Sequence, residues 1–310
     1  MVIELHAKSD VGRVRRANED NFLLLDLNTG SALTHTDGAE PPPEMRRFDL
    51  GDKGLILVVS DGMGGALAGD VASRMAVEAV REMLVGSETD GEAAEPCATV
   101  DAPLVDCLRN ATVYANLAIH HRSQADTQCS GMGATFTGAA IKDGAVDLVQ
   151  VGDSRAYLIR GDEIKLATKD QSLVQQLVDV GQISEEEAET HMFRNVILQA
   201  LGAQGEVTPV TGRVQLRRGD YLLLCSDGLS NKLRAEDMLR IVQANADDPA
   251  QACTNMVEEA NQRGGEDNIT VVLARFTGDD LPEPTADAIT LESTHSDQDQ
   301  MLDDTAETLR

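Results

Sequence analysis

Apolar residues in this chain follow two different periods. Short, nearly continuous apolar runs occupy 22–25, 55–59, 134–141, 145–151, 156–159, 221–225 and 269–276. They have strand length, and several are apolar throughout, as strands covered on both faces would be. Between them the spacing turns helical. Val71, Met75, Ala79 and Met83 recur four residues apart, and Leu104, Leu108, Ala111, Ala115, Ala118 and Ile119 make a second stripe. Two more helices fit 237–244 and 250–262, and the small alanines on these faces allow close packing. Strands grouped around inserted helices predict an α+β architecture of sheet layers covered by helices. No repeat occurs at a solenoid or propeller period.

Three stretches break the pattern. Residues 28–53 carry Pro41, Pro42 and Pro43 among scattered Gly, Thr and Asp, an unusually long irregular connection inside a compact domain. Residues 86–99 link two helical segments. Residues 277–310 hold ten acids and one base with sparse, aperiodic apolar residues, which predicts a disordered acidic tail after a folded domain of residues 1–276.

The chain has 310 residues and a formal net charge of −27, from 26 Lys+Arg against 53 Asp+Glu. Such a charge repels a phosphate backbone and an anionic bilayer, so neither nucleic acid nor a membrane is expected as a partner. The longest apolar runs, 55–59 and 221–225, are five residues each, where a membrane span needs about 20. The first ten residues lack the design of a signal peptide. Five cysteines, without a C-x-x-C pair, fit a reducing compartment better than a disulfide framework. The expectation is a soluble, cytoplasmic protein. A surplus of carboxylates suits divalent cations as well as it suits a solvated surface, so position decides.

The two most apolar strands end alike. Residues 55–59 run into Ser60-Asp61-Gly62, and 221–225 run into Ser226-Asp227-Gly228. Two further acids open strands instead, Asp20 before the run at 22–25 and Asp267 before the run at 269–276. If the strand beginning at Asp20 pairs antiparallel with the one ending at Asp61, both carboxylates lie at the same end of the pair. The same reasoning brings Asp227 to Asp267. Four carboxylates converging there cannot all ionise without a cation, and hard oxygen ligands favour Mg²⁺ or Mn²⁺. A single Asp-Gly usually marks only a turn; two mirror-like pairs are more than that. The same hairpin puts the connection 28–53 at the end away from the metals, about 20 Å off at the usual strand rise. It is therefore expected to be a mobile insertion and not a substrate lid.

Seven motifs, in order, extend the pattern: Asp10-x-Gly12-x-x-Arg15-x-x-Asn18-Glu19-Asp20; Val59-Ser-Asp-Gly-Met-Gly-Gly65 with Gly69 and Ala72-Ser73; Gly131-Met-Gly-Ala-Thr135; Val151-Gly-Asp-Ser-Arg-Ala-Tyr157; Asn195-x-x-x-x-Ala200-Leu-Gly202; Cys225-Ser-Asp-Gly-Leu229; and Gly264-Gly-Glu-Asp-Asn268. Together they span roughly residues 6–276, essentially the whole folded part. The sequence resembles the bacterial branch of the PPM (PP2C-like) metal-dependent serine/threonine protein phosphatases.

The resemblance implies a four-layer αββα sandwich of two antiparallel sheets flanked by helix pairs, with a two-metal centre at one edge. It implies that Asp61 bridges two ions, Mn²⁺ or Mg²⁺. Asp227 and Asp267 complete one site, the Gly62 carbonyl serves the other, and Glu19 and Asp20 act mainly through bound waters. Asp153, with Asp227, matches a weaker third site, and Arg15 matches the phosphate-binding arginine. The implied reaction is attack of a metal-bridging water on phosphoserine or phosphothreonine. The implied partners are phosphorylated proteins, a Hanks-type serine/threonine kinase and its substrates, with the enzyme acting as a monomer. Residues 171–194 match the variable flap beside the family's active site, where the run Glu185-Glu186-Glu187 is either a substrate-selecting feature or a solvated helix start.

Departures and rivals bear on this reading. Met63 stands where many eukaryotic relatives have a histidine, so no side-chain general acid is assigned; Asn231 and Gln171 replace the Asp and His common in the bacterial branch. A cysteine phosphatase needs C-x₅-R, and no cysteine here is followed by arginine at that spacing. No Gly-Asp-x-His-Gly motif is present either. A pseudophosphatase used for binding alone typically lacks the metal aspartates or the arginine, all of which are kept here.

Overall fold

A computed structural model describes residues 1–35, 41–64, 68–86, 88–89, 92–93, 96–284 and 289–294. In chain order, β1 (Val2–Asp10), β2 (Asp20–Asp26) and β3 (Ala32–Thr34) lead to a short helix α1 (Pro43–Arg46) and β4 (Arg47–Asp49). Next come β5 (Leu55–Met63), α2 (Ala68–Val85), the two-residue strands β6 (Glu88–Thr89) and β7 (Glu92–Ala93), and α3 (Leu104–Ala125). β8 (Gly133–Ala134), β9 (Phe136–Lys142), β10 (Ala145–Val151), β11 (Arg155–Arg160) and β12 (Glu163–Leu166) follow in succession. After α4 (Leu173–Asp179) and α5 (Glu185–Thr190) come β13 (Val210–Gln215) and β14 (Tyr221–Cys225). The chain continues through α6 (Asp227–Ser230), α7 (Ala235–Ala244) and α8 (Pro249–Gln262) to β15 (Ile269–Thr277) and β16 (Glu292–Thr294).

The strands make two large antiparallel sheets. One has the order β12-β11-β14-β15-β1-β4; the other has β16-β13-β10-β9-β5-β2-β3, with β8 on the end of β5. Successive side chains of a strand point to opposite faces, and that explains the continuous apolar runs. Leu55, Leu57, Leu222 and Leu224 fill the core between the sheets with Phe22, Leu24 and Val272. Ile56 and Val58, one residue out of step, pack instead under Ala72, Ala76, Leu108, Ala111 and Ala115 of α2 and α3. On the far side Leu223, Val271 and Leu273 pack under Met238, Ile241, Met256 and Val257 of α7 and α8. Helix pair, sheet, sheet, helix pair is the four-layer sandwich expected.

β1, absent from the apolar runs above, is a full inner strand between β15 and β4. Its signal is alternation: Ile3, Leu5 and Ala7 face the inter-sheet core while the intervening residues do not.

The insertion corrects one expectation. β2 and β5 pair with Asp20 opposite Asp61, as the strand directions require. The connection does not stay at the far end. Asp26 accepts hydrogen bonds from the Asn28 amide and the Thr29 hydroxyl, Gly30 takes φ 72°, and the chain doubles back as β3, with Thr34 opposite Leu23. That brings His35 to the Asp20 end of β2. Leu33 and Met45 are buried in the inter-sheet core, and β4 pairs with β1. Residues 36–40 lie outside the described residues.

The tail expectation is corrected for residues 278–284 and 289–294. Leu281 and Ile289 are buried in the inter-sheet core, and β16 pairs with β13. Lys165 Nζ donates to the Ile289 carbonyl at 2.7 Å, and Arg218 pairs with Glu283 at 2.8 Å. Two apolar residues are too few to make a sequence period but enough to anchor a short segment. The rest of the expected tail, 285–288 and 295–310, lies outside the described residues.

Cysteine usage is corrected as well. Cys97 and Cys107 form a disulfide that ties the connector before α3 to its first turn, while Cys129, Cys225 and Cys253 are free and buried. Counting cysteines therefore carries no argument for a reducing compartment. Among the described residues no helix is long and apolar enough to cross a membrane.

Candidate metal centre

The two Ser-Asp-Gly copies close the two sheets at the same end of the sandwich, and they touch. Ser226 Oγ, after β14, donates to Asp20 Oδ2 at 2.7 Å and accepts from the Thr270 amide at 3.0 Å. One hydroxyl thus stitches β2 of one sheet to β14 and β15 of the other. Glu19 is fixed through its backbone: its amide donates to Asn268 Oδ1 at 2.8 Å, and its carbonyl accepts from the Gly62 amide and Ser73 Oγ. Asn268 in turn donates to the carbonyls of Val11 and Ala17, holding the loop that carries Arg15. Glycine is required after each aspartate. A Cβ at Gly62 would lie 2.1 Å from the Gly69 carbonyl oxygen, and one at Gly228 would lie 1.9 Å from that of Asn268.

Asp61 sits at the centre of the charge. Burial raises its carboxyl pKa well above the usual value, and Asp20, Asp227, Asp153 and Asp267 push it further in the same direction. Burial and the charges of Asp227 and Asp267 push Asp20 up to about 7 against the Ser226 and Thr270 hydrogen bonds. Asp153, in the turn between β10 and β11, is pushed to about 7 by burial, Asp227 and Asp170. Asp227 is raised by burial and Asp267, and Glu19 by burial. Arg15 opposes the rise at Glu19 and Asp227, and Arg155 opposes it at Asp153, but neither reverses it. Arg15 stands at the rim. Its half-exposed guanidinium donates to Asp267 Oδ2 at 2.8 Å and lies 3.8 Å from Glu19.

The donor set fits a hard divalent cation. All the converging atoms are oxygens, and Asp20 Oδ1 and Asp227 Oδ1 are buried without any hydrogen-bond partner, a costly state that a cation would relieve. Among the described residues the side chains do not already close into a cage of three or more His, Cys, Asp or Glu ligands. The aspartates face one another as neighbours.

All the residues read from the sequence lie at this end: Asp20 at the start of β2, Asp61 and Gly62 near the end of β5, Asp227 at the start of α6, and Arg15, Glu19, Asp153 and Asp267 on the connecting loops. Several others there have bonding roles that the sequence does not state. Ser226 and Asn268 are inside motifs, yet their roles depend on the opposite sheet. Asn231 donates to Asp227 Oδ2 at 3.1 Å, and Gln171 Oε1 accepts from the Gly152 amide at 2.8 Å, tying the segment 171–194 to the Asp153 turn. That segment carries no buried residue in α4 or α5, and Ser184 caps α5 with Glu187 in a capping box. The glutamate run thus forms the first turn of α5 and supplies its capping-box acid. His35 Nε2 accepts from Asn18 Nδ2 at 3.3 Å, and the His35 amide donates to Asn21 Oδ1 at 3.2 Å, so the insertion touches residues flanking Glu19 and Asp20.

A sandwich with converging carboxylates and one arginine at its rim is the architecture of a metallohydrolase acting on phosphate esters. The sequence profile of the protein phosphatase 2C family matches residues 46–273. The serine/threonine phosphatase stp of Listeria innocua is 35% identical over 272 residues, covering 87% of this chain and 95% of that protein. The crystal structure of the Mycobacterium tuberculosis serine/threonine phosphatase PstP/Ppp superposes with a TM-score of 0.70 at 32% identity, covering 90% of this chain and 100% of that one. A structure of the PstP catalytic domain in complex with two manganese ions gives 0.68 at 32% identity, covering 89% and 99%. The chain belongs to the protein phosphatase 2C family and is a metal-dependent protein serine/threonine phosphatase.

Proposed function

We propose that this chain dephosphorylates phosphoserine and phosphothreonine in proteins, using Mn²⁺ or Mg²⁺ held by Asp61, Gly62, Asp227 and Asp267. Glu19 and Asp20 would flank these ions, and Asp153 with Asp227 would hold a weaker third. The observation that carries the reading is the convergence of five aspartates with two orphaned buried carboxylate oxygens. When bound, such ions acidify water and neutralise charge on the phosphoryl group. The chain's own residues do the rest. Ser226 fixes the orientation of the Asp20 carboxylate. Arg15, half-exposed at the rim, presents a planar fork suited to a phosphate dianion in an otherwise acidic cleft. No cysteine nucleophile competes: the three free thiols are buried, and burial pushes Cys225 up to about 12.

The partners we assign are phosphoproteins made by a serine/threonine kinase, which places the work in the cytoplasm, where ATP is available, with the phosphatase acting as a monomer. The PstP structure with two manganese ions favours Mn²⁺. The test is turnover of phosphothreonine, phosphoserine and phosphotyrosine peptides in excess EDTA and after adding back Mn²⁺ or Mg²⁺. Activity should vanish and return, and Asp61→Ala or Asp227→Ala should lose several orders of magnitude. Full turnover in EDTA overturns the reading.

A further inference from the structure

We infer that Thr135 is a positioning residue that locks the turn bearing Asp61 to the turn bearing Asp153; the inference rests on the metal reading above. β8 and β9 run antiparallel to β5, with Gly62 opposite Ala134 and Val59 opposite Thr137, so Thr135 stands opposite Asp61. A regular antiparallel rung exchanges two backbone hydrogen bonds. Half of this rung is regular: the Thr135 amide donates to the Asp61 carbonyl at 2.8 Å. The other half is replaced. The Asp61 amide donates to the Thr135 hydroxyl at 2.9 Å, and the carbonyl of Thr135 accepts from Ser60 Oγ at 2.7 Å instead.

The same Thr135 hydroxyl is 2.7 Å from Ser154 Oγ, next to Asp153. That second turn is itself held rigidly. The Ser154 carbonyl accepts from Thr137 Oγ1 at 2.8 Å and from Gln150 Nε2 at 2.7 Å. Gly152, at φ 97°, packs so closely that a Cβ there would lie 2.8 Å from Thr135 Cγ2. Ser60, Thr135, Thr137, Gln150 and Ser154 are all buried, so water does not substitute for a lost partner, and such buried networks hold one geometry. One side chain therefore sets the spacing of two carboxylates that come from strands about ninety residues apart in sequence.

The experiment compares the full chain with Thr135→Val, Thr135→Ser and Ser154→Ala. It measures Mn²⁺ binding by calorimetry, kcat and KM on a phosphothreonine peptide, and melting in EDTA. Thr135→Val keeps the shape and removes the hydroxyl; it should weaken Mn²⁺ binding by about 10–100-fold, the usual effect of losing a group that orients a ligand, and lower kcat more than it changes KM. Thr135→Ser, which restores the hydroxyl, should recover most of the affinity. Wild-type Mn²⁺ affinity in Thr135→Val, or a Thr135→Ser variant as weak as Thr135→Val, overturns the inference. If Thr135→Val does not fold, Ser154→Ala decides: weakened Mn²⁺ binding supports it and wild-type binding overturns it. A wild-type chain that binds no Mn²⁺ overturns the metal reading itself, and this inference with it.

Discussion

Raising the pH from 5 to 8 in a chelator should make the folded chain markedly less stable, and excess Mn²⁺ should abolish the effect. Asp20 is buried and titrates at about 7 in the folded chain, whereas an aspartate in an unfolded chain titrates near 4. A folded-state pKa that is raised means the folded chain holds its proton longer. The resulting stability is full below about pH 4 and is lost as the pH climbs through 7. Between pH 5 and 7, at about 1.4 kcal/mol per unit, Asp20 alone accounts for about 3 kcal/mol, and Asp153, also raised to about 7, acts in the same direction. In a chain of this size the Asp20 contribution corresponds to roughly 5 °C in melting temperature. The assay is thermal melting in EDTA at several pH values, for wild type and for Asp20→Asn, which is neutral at every pH and should flatten the slope. Equal melting temperatures at pH 5 and pH 8 for wild type, or an equally steep slope for Asp20→Asn, would refute the reasoning.

Three further outcomes are expected. Arg15→Ala should raise KM and weaken inhibition by inorganic phosphate while leaving Mn²⁺ content unchanged, as read by elemental analysis. Asp220→Ala should cost about 3–5 kcal/mol in a denaturant titration, because it strands the buried guanidinium of Arg160, which now donates to Asp220 at 2.9 and 2.7 Å. Truncation after Gly278 should lower the melting temperature by several degrees, since it removes Leu281 and Ile289 from the core at about 1.5–3 kcal/mol each; an unchanged melting temperature would show that the segment does not dock.

The converging carboxylates were legible because their signal is local. A continuous apolar run followed by Ser-Asp-Gly states both that the strand is covered on two faces and where its last carboxylate lies. Antiparallel pairing then does the rest, as the register of Asp20 against Asp61 bears out. The insertion was misread for the same reason. Its apolar anchors, Leu33 and Met45, are single residues with no period, so neither the doubling back of β3 nor the contact between His35 and Asn18 had a local sign. Leu281 and Ile289 escaped notice in the same way within the acidic C-terminal segment.

Strand and helix identity, the two-sided burial of the inner strands and the identity of the acidic residues at their ends were determined by the sequence itself, because each depends on periodicity within a few residues. Only the tertiary structure decided which partners those residues meet. The two serines of the matching Ser-Asp-Gly copies are indistinguishable locally. Yet Ser60 bonds the Thr135 carbonyl within its own sheet, while Ser226 reaches Asp20 across the sandwich, 206 residues away in the chain. A hydroxyl bonds whatever acceptor stands within about 3 Å, and what stands there is set by how the two sheets pack.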